Sequence, residues 1–141
     1  MAKDKKIDAL KGVGLFSACS DRELKFVAAV TDRVEVPAGG VLMEEGSSGH
    51  DLWIIAEGTA AVSRKHRVVR TAGPGEALGE LALLDGEPRS ATVTAETPMT
   101  AYVVNGRSFR SMVKEAPSVA LKIMQAMATR LRQAEAPRAR R

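Results

Sequence analysis

Residues 79–93 read GELALLDGEPRSATV, and this stretch decides which fold and function the sequence predicts. Glu80 comes directly after Gly79. A short apolar run and a proline separate this pair from Arg89 and Ser90, which lead into a segment rich in threonine and valine. An acid and an arginine nine positions apart suit a ligand with hydroxyls and a phosphate, because a carboxylate accepts hydrogen bonds and a guanidinium donates two in parallel. The stretch therefore predicts a binding site.

Around this stretch, residues 33–104 break into short β-type runs separated by glycine, proline and polar turns. The runs are RVEV, VLM, DLWIIA, TAAV, VVRT, SATVTA and MTAYVV. Many short strands at close spacing, with glycine or proline at most turns, predict a β-roll or β-sandwich. Charged and apolar residues alternate over residues 33–36, which indicates a sheet with one solvated face.

Helical patterns flank the β-rich zone. Residues 4–30 are predicted to form helices, and Ser20 with Glu23 has the spacing of a capping box that opens one of them. Residues 106–135 are predicted to form two more helices, with Pro117 in the first turn of the second. We expect one domain over residues 1–136, since a chain of 141 residues can bury a core without disulfides.

The second C-terminal helix carries more apolar surface than a single core needs. At about 100° per residue, its apolar side chains cover an arc of roughly 220°. These residues are Val119, Ala120, Leu121, Ile123, Met124, Met127, Ala128 and Leu131. A helix that lies on one core needs about half that arc, so this one is predicted to meet the β-roll and also a ligand or another subunit.

Charge and composition exclude several classes of protein. The net charge is +4, and three of the four units come from Arg138, Arg140 and Arg141 in the basic tail 137–141. A short basic end after a proline is typical of a solvated tail, so we expect no nucleic-acid interface. The single Cys19 suits a reducing compartment. No apolar run approaches a membrane span, and we expect a cytoplasmic protein with no membrane segment.

An enzyme or a metal protein is not expected either. A small β-barrel that holds a metal needs clustered histidines with a carboxylate, whereas His50 and His66 stand alone in different turns. Cys19 has no histidine near it in sequence that could activate a nucleophile. The sequence predicts no catalytic residue, no metal and no cofactor.

Residues 79–93 resemble the phosphate-binding cassette of cyclic-nucleotide-binding domains, the family of catabolite activator protein and of the regulatory subunits of cAMP-dependent protein kinase. Two further segments are similar to the family, VPAGGVLMEEGSSGHDLWIIAEGTAAV to its first strands and AGPGEALGE to the turn entering the cassette. The likeness covers about residues 10–133. It implies a mainly β fold: an antiparallel, jelly-roll-like β-roll (a double-stranded β-helix) with N-terminal helices and two C-terminal helices.

The resemblance also implies roles for residues. The expected sugar and phosphate contacts are Gly79, Glu80, Leu81, Arg89, Ser90 and Ala91. Arg89 binds the exocyclic oxygens of the cyclic phosphate, and Glu80 accepts from the ribose 2′-hydroxyl. Gly79 leaves room for backbone beside the sugar. A helical turn over residues 81–84 points its free N–H groups at the anion, and Ser90 adds a further N–H and a hydroxyl.

The base contacts follow from the same resemblance. Val62 and Val69, on the hairpin around SRKH, are expected to pack against the purine. Arg130, on the second C-terminal helix, matches an arginine that in some relatives reaches towards the acid at Glu80. This helix is therefore expected to act as a lid or switch. Serine at position 90 also suits guanine. Because serine occurs at this position in cAMP-binding bacterial activators, cAMP is favoured over cGMP.

Two departures from the family concern the base. Ala134 and Glu135 stand where catabolite activator protein contacts adenine through polar side chains of this helix, so contacts of that type are not expected. Leu78 stands where an aromatic residue is common.

The function predicted is that of a ligand-responsive regulatory module that binds cAMP or cGMP. Its output would pass to an unidentified effector protein or to a homodimer formed through the C-terminal helix. Two alternatives stay open. One is a structural or dimerisation module that ignores nucleotide. The other is the sensor half of a Crp/Fnr-type transcription regulator that lacks its DNA-binding domain, because no second helical unit follows RLRQAEAPRARR.

Overall fold

The computed structural model describes residues 2–135, and the basic tail 137–141 lies outside them. Helices stand at both ends of this part of the chain, and strands fill the middle. The helices are α1 Ala2–Lys11, a 3₁₀ helix Gly14–Phe16, α2 Asp21–Ala29, α3 Glu80–Asp85, α4 Gly106–Glu115 and α5 Pro117–Glu135. The strands are β1 Thr31–Val36, β2 Val41–Met43, β3 Leu52–Glu57, β4 Ala60–Arg64, β5 Arg67–Ala72, β6 Ala77–Leu78, β7 Thr92–Ala95 and β8 Met99–Val104.

The strands form two four-stranded sheets in which the paired strands run antiparallel. One sheet has the order β1-β8-β3-β6, and the other has the order β2-β7-β4-β5. In the first, β1 pairs with β8 along its whole length, from Thr31 opposite Val104 to Val36 opposite Met99. The predicted fold class, an antiparallel β-roll with helices at both ends, is confirmed.

The alternation of side chains along the strands builds two hydrophobic cores. On β3, Leu52 and Ile54 belong to a core shared with the helices, while Ile55 belongs to a core shared with strands of the second sheet. On β8, Tyr102 joins the helical core and Met99 joins the core between the sheets. Because neighbouring residues of a strand point to opposite faces, one sheet can separate the two cores.

The N-terminal helices pack on the outer face of this sheet, and the capping box that the sequence predicts is confirmed. Ser20 accepts a hydrogen bond through its hydroxyl from the backbone of Glu23 at 3.2 Å, and its own backbone donates to the Glu23 carboxylate at 2.8 Å. These bonds satisfy two N–H groups that the first turn of α2 leaves without helical partners. Leu24 and Val27 on the same helix are fully buried in the helical core.

The bounds of the predicted strands are correct to within two residues, and two differences concern the site. Strand β6 has only two residues and was missed, because two residues between glycine-rich turns show no periodicity. Strand β7 begins at Thr92 rather than at Ser90. Backbone bonds explain its later start: Arg89 donates to Ser47, which fixes the loop ahead of the ladder. Ser90 and Ala91 thus precede the strand.

Helix α5 buries only part of its apolar arc. Val119, Ile123 and Ala126 are buried, and the helix packs against the 3₁₀ helix and α4 over the outer face of the first sheet. The first apolar surface that it meets is thus made largely of helices and not of the β-roll alone. Leu121, Met124 and Leu131 are each more than half exposed, so the second predicted surface has no partner within residues 2–135.

Within residues 2–135, no helix is long and apolar enough to cross a membrane. The same residues contain no group of three or more histidines, cysteines or acids that could hold a metal ion. His66 lies in the tight turn between β4 and β5 with a positive φ, and His50 lies in the loop before β3.

Candidate functional site

A pocket of about 620 Å³ lies between α3 and the β4–β5 hairpin. This volume is within the usual range for small-molecule sites. Every residue that the sequence predicts for the ligand except Arg130 lines it. These residues are Gly79, Glu80, Leu81, Arg89, Ser90 and Ala91 from the cassette, and Val62 and Val69 from the hairpin. The fold therefore brings the two groups of predicted contacts to one cavity.

The cassette helix α3 begins beside this pocket because of Gly79. This glycine adopts φ 88° and ψ 19°, a left-handed conformation that ends β6 and lets the chain turn into the helix. Leu83 is fully buried and joins the helical core, which fixes α3 in place. The helix starts at Glu80, one residue before the predicted turn. Its first-turn N–H groups lack helical partners by geometry and are available to an anion.

Arg89 is the buried cation of the pocket. Only 7% of the residue is exposed, and its Nη2 donates to the backbone oxygen of Asp51 at 2.8 Å. Its Nη1 is buried and has no hydrogen-bond partner within residues 2–135. Burial lowers the pKa of Arg89, while the negative charge of Asp51 acts in the opposite direction. A buried cation with a free donor is costly unless an anion completes it.

Two glycines make room for the Arg89 guanidinium. A Cβ atom at Gly49 would lie 2.8 Å from Nε, and one at Gly79 would overlap Nη1. The sequence prediction assigned the bare backbone of Gly79 to the approach of the sugar. The structure gives two other reasons for a glycine at this position: the left-handed φ, and the space that the Arg89 guanidinium occupies.

Asp51 connects the pocket to the C-terminal helices. Its backbone oxygen holds Arg89, and its carboxylate accepts from the backbone N–H of Gly106, the first residue of α4, at 2.9 Å. Sequence reasoning missed Asp51, because it acts on Arg89 through a carbonyl that every residue has. Sequence reasoning also missed Gly49, because it lies in a polar turn that resembles several other turns of the chain.

Arg130 reaches the acid of the pocket from outside. Its Nη2 lies 3.5 Å from Oε2 of Glu80, as the resemblance implies. The Glu80 side chain is 21% exposed and that of Arg130 is 44% exposed, so the ion pair sits at the edge of the pocket. Of the described residues, none from α5 lines the pocket itself.

The hairpin side of the pocket is partly apolar and partly basic. Val62 is buried, whereas Val69 is 52% exposed. Arg64 and Arg70 also line the pocket, and sequence reasoning missed both because charges in a hairpin are typical of a solvated turn. Arg70 Nη1 lies 2.7 Å from Oε1 of Glu76.

Glu76 is held by a second partner, the backbone N–H of Gly73 at 2.6 Å. This backbone hydrogen bond and then Arg70 lower the pKa of Glu76. Arg70 therefore already has an acidic partner, and Val62, Val69 and Arg64 line the same side of the pocket.

Comparison with known proteins agrees with this geometry. The family model for the cyclic nucleotide-binding domain matches residues 33–116. The cyclic AMP receptor protein of Thermus thermophilus is 28% identical over 131 residues, which cover 89% of this chain and 61% of that protein. The chain spans less than two thirds of the length of the curated relatives that it matches.

Solved structures show the same likeness. The N-terminal domain of a transcriptional regulator from Streptomyces coelicolor superposes with a TM-score of 0.81 at 30% identity, covering 90% of this chain and 92% of that one. The regulatory domain of Toxoplasma gondii PKA, crystallised with cAMP, gives a TM-score of 0.73 at 32% identity, covering 82% of this chain and 46% of that one. With the family model matched across both the β-roll and the cassette, the chain belongs to the cyclic nucleotide-binding domain family.

Proposed function

We propose that the chain binds a cyclic nucleotide in the pocket between α3 and the β4–β5 hairpin and acts as a ligand-responsive regulatory module without catalysis, in the cytoplasm. The observation that carries the proposal is the buried guanidinium of Arg89, whose Nη1 has no hydrogen-bond partner within residues 2–135. A cyclic phosphate supplies the missing acceptor and a neutralising charge. The ligand is cAMP or cGMP, and no further cofactor is needed.

The lining of the pocket supports one orientation of the ligand. The phosphate binds at Arg89, with the backbone N–H groups at the start of α3 and Ser90 completing its partners. The ribose then lies at Glu80, whose carboxylate accepts a hydroxyl. The purine extends towards Val62 and Val69, where apolar contact stabilises the base.

We favour cAMP over cGMP as the ligand. The Thermus thermophilus relative is named a cyclic AMP receptor protein, and the Toxoplasma gondii structure holds cAMP. Isothermal titration with cAMP, cGMP and 5′-AMP tests the proposal. We expect the tightest binding for cAMP, weaker binding for cGMP, and much weaker binding for the open phosphate. Titrations without heat, together with an unchanged melting temperature at millimolar cAMP, would contradict the proposal.

Replacing Glu80 with alanine should reduce the affinity for cAMP by roughly 10- to 100-fold, because a hydrogen bond to a charged acceptor contributes about 1.5–3 kcal/mol. The affinity for 2′-deoxy-cAMP should stay within about twofold of wild type, since this analogue has no hydroxyl for the acid. Titration calorimetry with both nucleotides measures the difference.

The matched control for this change is Glu87→Ala, which removes an exposed acid that lines the same pocket. This control should leave the preference for cAMP over 2′-deoxy-cAMP intact. If Glu80→Ala weakens both nucleotides equally, the assignment of Glu80 to the ribose is wrong.

The exposed face of α5 supports a proposal for the output. Met124 and Leu131 line an apolar groove together with Leu83 and Leu84 of α3, so the groove joins the cassette helix to α5. A shift of α3 when the ligand binds would change this groove, and α5 would act as the switch. We propose that a second copy of the chain, or an effector protein, covers this face.

Replacing both Met124 and Leu131 with glutamate should raise the dissociation constant of a homodimer about 100-fold or more, since burying unpaired carboxylates costs several kcal/mol. Sedimentation velocity with and without cAMP measures this. Arg132→Glu is the control: it changes the net charge by the same two units at an exposed position of α5 that does not line the groove. A monomer at all concentrations contradicts the homodimer, and a dimer that ignores cAMP favours the nucleotide-independent module instead.

A further inference from the structure

The guanidinium of Arg130 lies between Glu80 and Gly14, and one nitrogen makes both contacts. Nη2 is the atom that lies 3.5 Å from Oε2 of Glu80. A Cβ atom at Gly14 would overlap this same Nη2 and would lie 3.2 Å from Cζ. Gly14 begins the 3₁₀ helix and has no positive φ, so its backbone is open to any residue. Gly14 therefore leaves open the space that Nη2 of Arg130 occupies, and a side chain at this position would displace the flexible end of the arginine.

Among the described residues, the hollow beside Arg130 contains no acid. The hollow is lined by uncharged residues of the 3₁₀ helix region and of α5, namely Gly14, Ser17, Ala18, Gln125, Ala126, Thr129 and Gln133. A half-exposed arginine has many rotamers in solution, and fixing it in one of them costs conformational entropy. In this position the guanidinium lies beside the bare backbone of Gly14 and pairs with the carboxylate of Glu80.

We propose that Gly14 is a positioning residue for the ribose acid: it seats Arg130 on Oε2 of Glu80, which leaves Oε1 to accept the ribose hydroxyl. This inference rests on the proposed function. An acid whose carboxylate is already oriented binds a hydroxyl with less loss of freedom. Because Arg130 belongs to α5 and Gly14 to the N-terminal segment, ribose binding and the packing of these two elements strengthen each other.

Gly14→Ala tests the proposal without changing any charge. The methyl group takes the place of Nη2, and the flexible arginine moves away while the backbone is unstrained. We expect cAMP to bind about three- to fivefold more weakly, as for the loss of an ion pair at a protein surface. The affinity for 2′-deoxy-cAMP should not change. Gly12→Ala is the matched control, because a Cβ atom there meets only Ala9 O at an ordinary 3.5 Å.

Arg130→Ala supplies the second arm of the test. It should weaken cAMP binding as much as Gly14→Ala does, and adding Gly14→Ala to it should have no further effect. The proposal is overturned if Gly14→Ala weakens cAMP and its 2′-deoxy analogue equally, or if its effect persists without Arg130. A wild-type chain that binds no cyclic nucleotide overturns the proposed function as well, whereas wild-type binding with a silent Gly14→Ala overturns this inference alone.

Discussion

Arg89→Ala is expected to reduce the affinity for cAMP by a factor of about 100 to 1,000. Truncating one partner of a buried, hydrogen-bonded charge pair typically costs 2–5 kcal/mol, and each 1.4 kcal/mol is tenfold in affinity. The buried guanidinium already has one arm fixed on Asp51 at 2.8 Å, so it meets the phosphate with little loss of freedom. Titration calorimetry measures the loss.

The same residue should show an opposite effect on stability. Arg89→Met replaces the buried cation with an apolar chain of similar length, which removes the uncompensated charge and leaves the Asp51 carbonyl without its donor. We expect the free energy of unfolding without nucleotide to rise by about 1–2 kcal/mol, because removing an uncompensated buried charge gains more than the lost hydrogen bond to the Asp51 carbonyl costs. Urea denaturation with and without cAMP measures this, and the stabilisation by cAMP should disappear.

Arg64→Met is the control for the effect on stability. Arg64 lines the same pocket but is exposed, so the change should leave the free energy of unfolding within about 0.5 kcal/mol. If Arg89→Met both destabilises the chain and retains the affinity for cAMP, the guanidinium is a structural group and the phosphate binds elsewhere.

The sequence predicted the parts of the site that depend on local order. Gly79, Glu80 and Arg89 lie within one short segment. Their relative positions therefore depend mainly on the local sequence. The hairpin residues Val62 and Val69 came from the resemblance, and the fold brings them to the same cavity. Turn residues and alternation were enough for most strands, because these signals act over a few residues.

The parts that could not be predicted depend on contacts between distant segments. The backbone oxygen of Asp51 holds Arg89 across 38 positions, and no side-chain pattern marks a carbonyl. Gly14 meets Arg130 only because α5 packs on the 3₁₀ helix. For α5, the width of the apolar arc predicted two surfaces. Which of these residues face the core depends on the rotation of the helix about its axis relative to its neighbours. That rotation could not be predicted from this sequence alone.

Among glycine-to-alanine changes in the cassette, Gly79→Ala should cause the largest loss of stability and of cAMP affinity. The residue would have to keep a φ of 88°, which costs an alanine about 1–2 kcal/mol. Its Cβ atom would also overlap Nη1 of Arg89 and lie 2.9 Å from the backbone oxygen of Asp51. We expect a total loss of about 2–4 kcal/mol in the free energy of unfolding. The affinity for cAMP should fall at least tenfold, since either Arg89 or the start of α3 must move.

Gly75→Ala separates the two causes, because Gly75 has the same φ of 88° and nothing within 4 Å of an added Cβ atom. It should lower the free energy of unfolding only by the cost of a positive φ for alanine, about 1–2 kcal/mol. It should leave cAMP binding unchanged. The difference between the two variants, measured by urea denaturation and calorimetry, then isolates the contact with Arg89. Equal losses of stability with equal affinities would mean that Gly79 serves the turn alone. In that case the position of the guanidinium would have to come from Gly49 and Asp51.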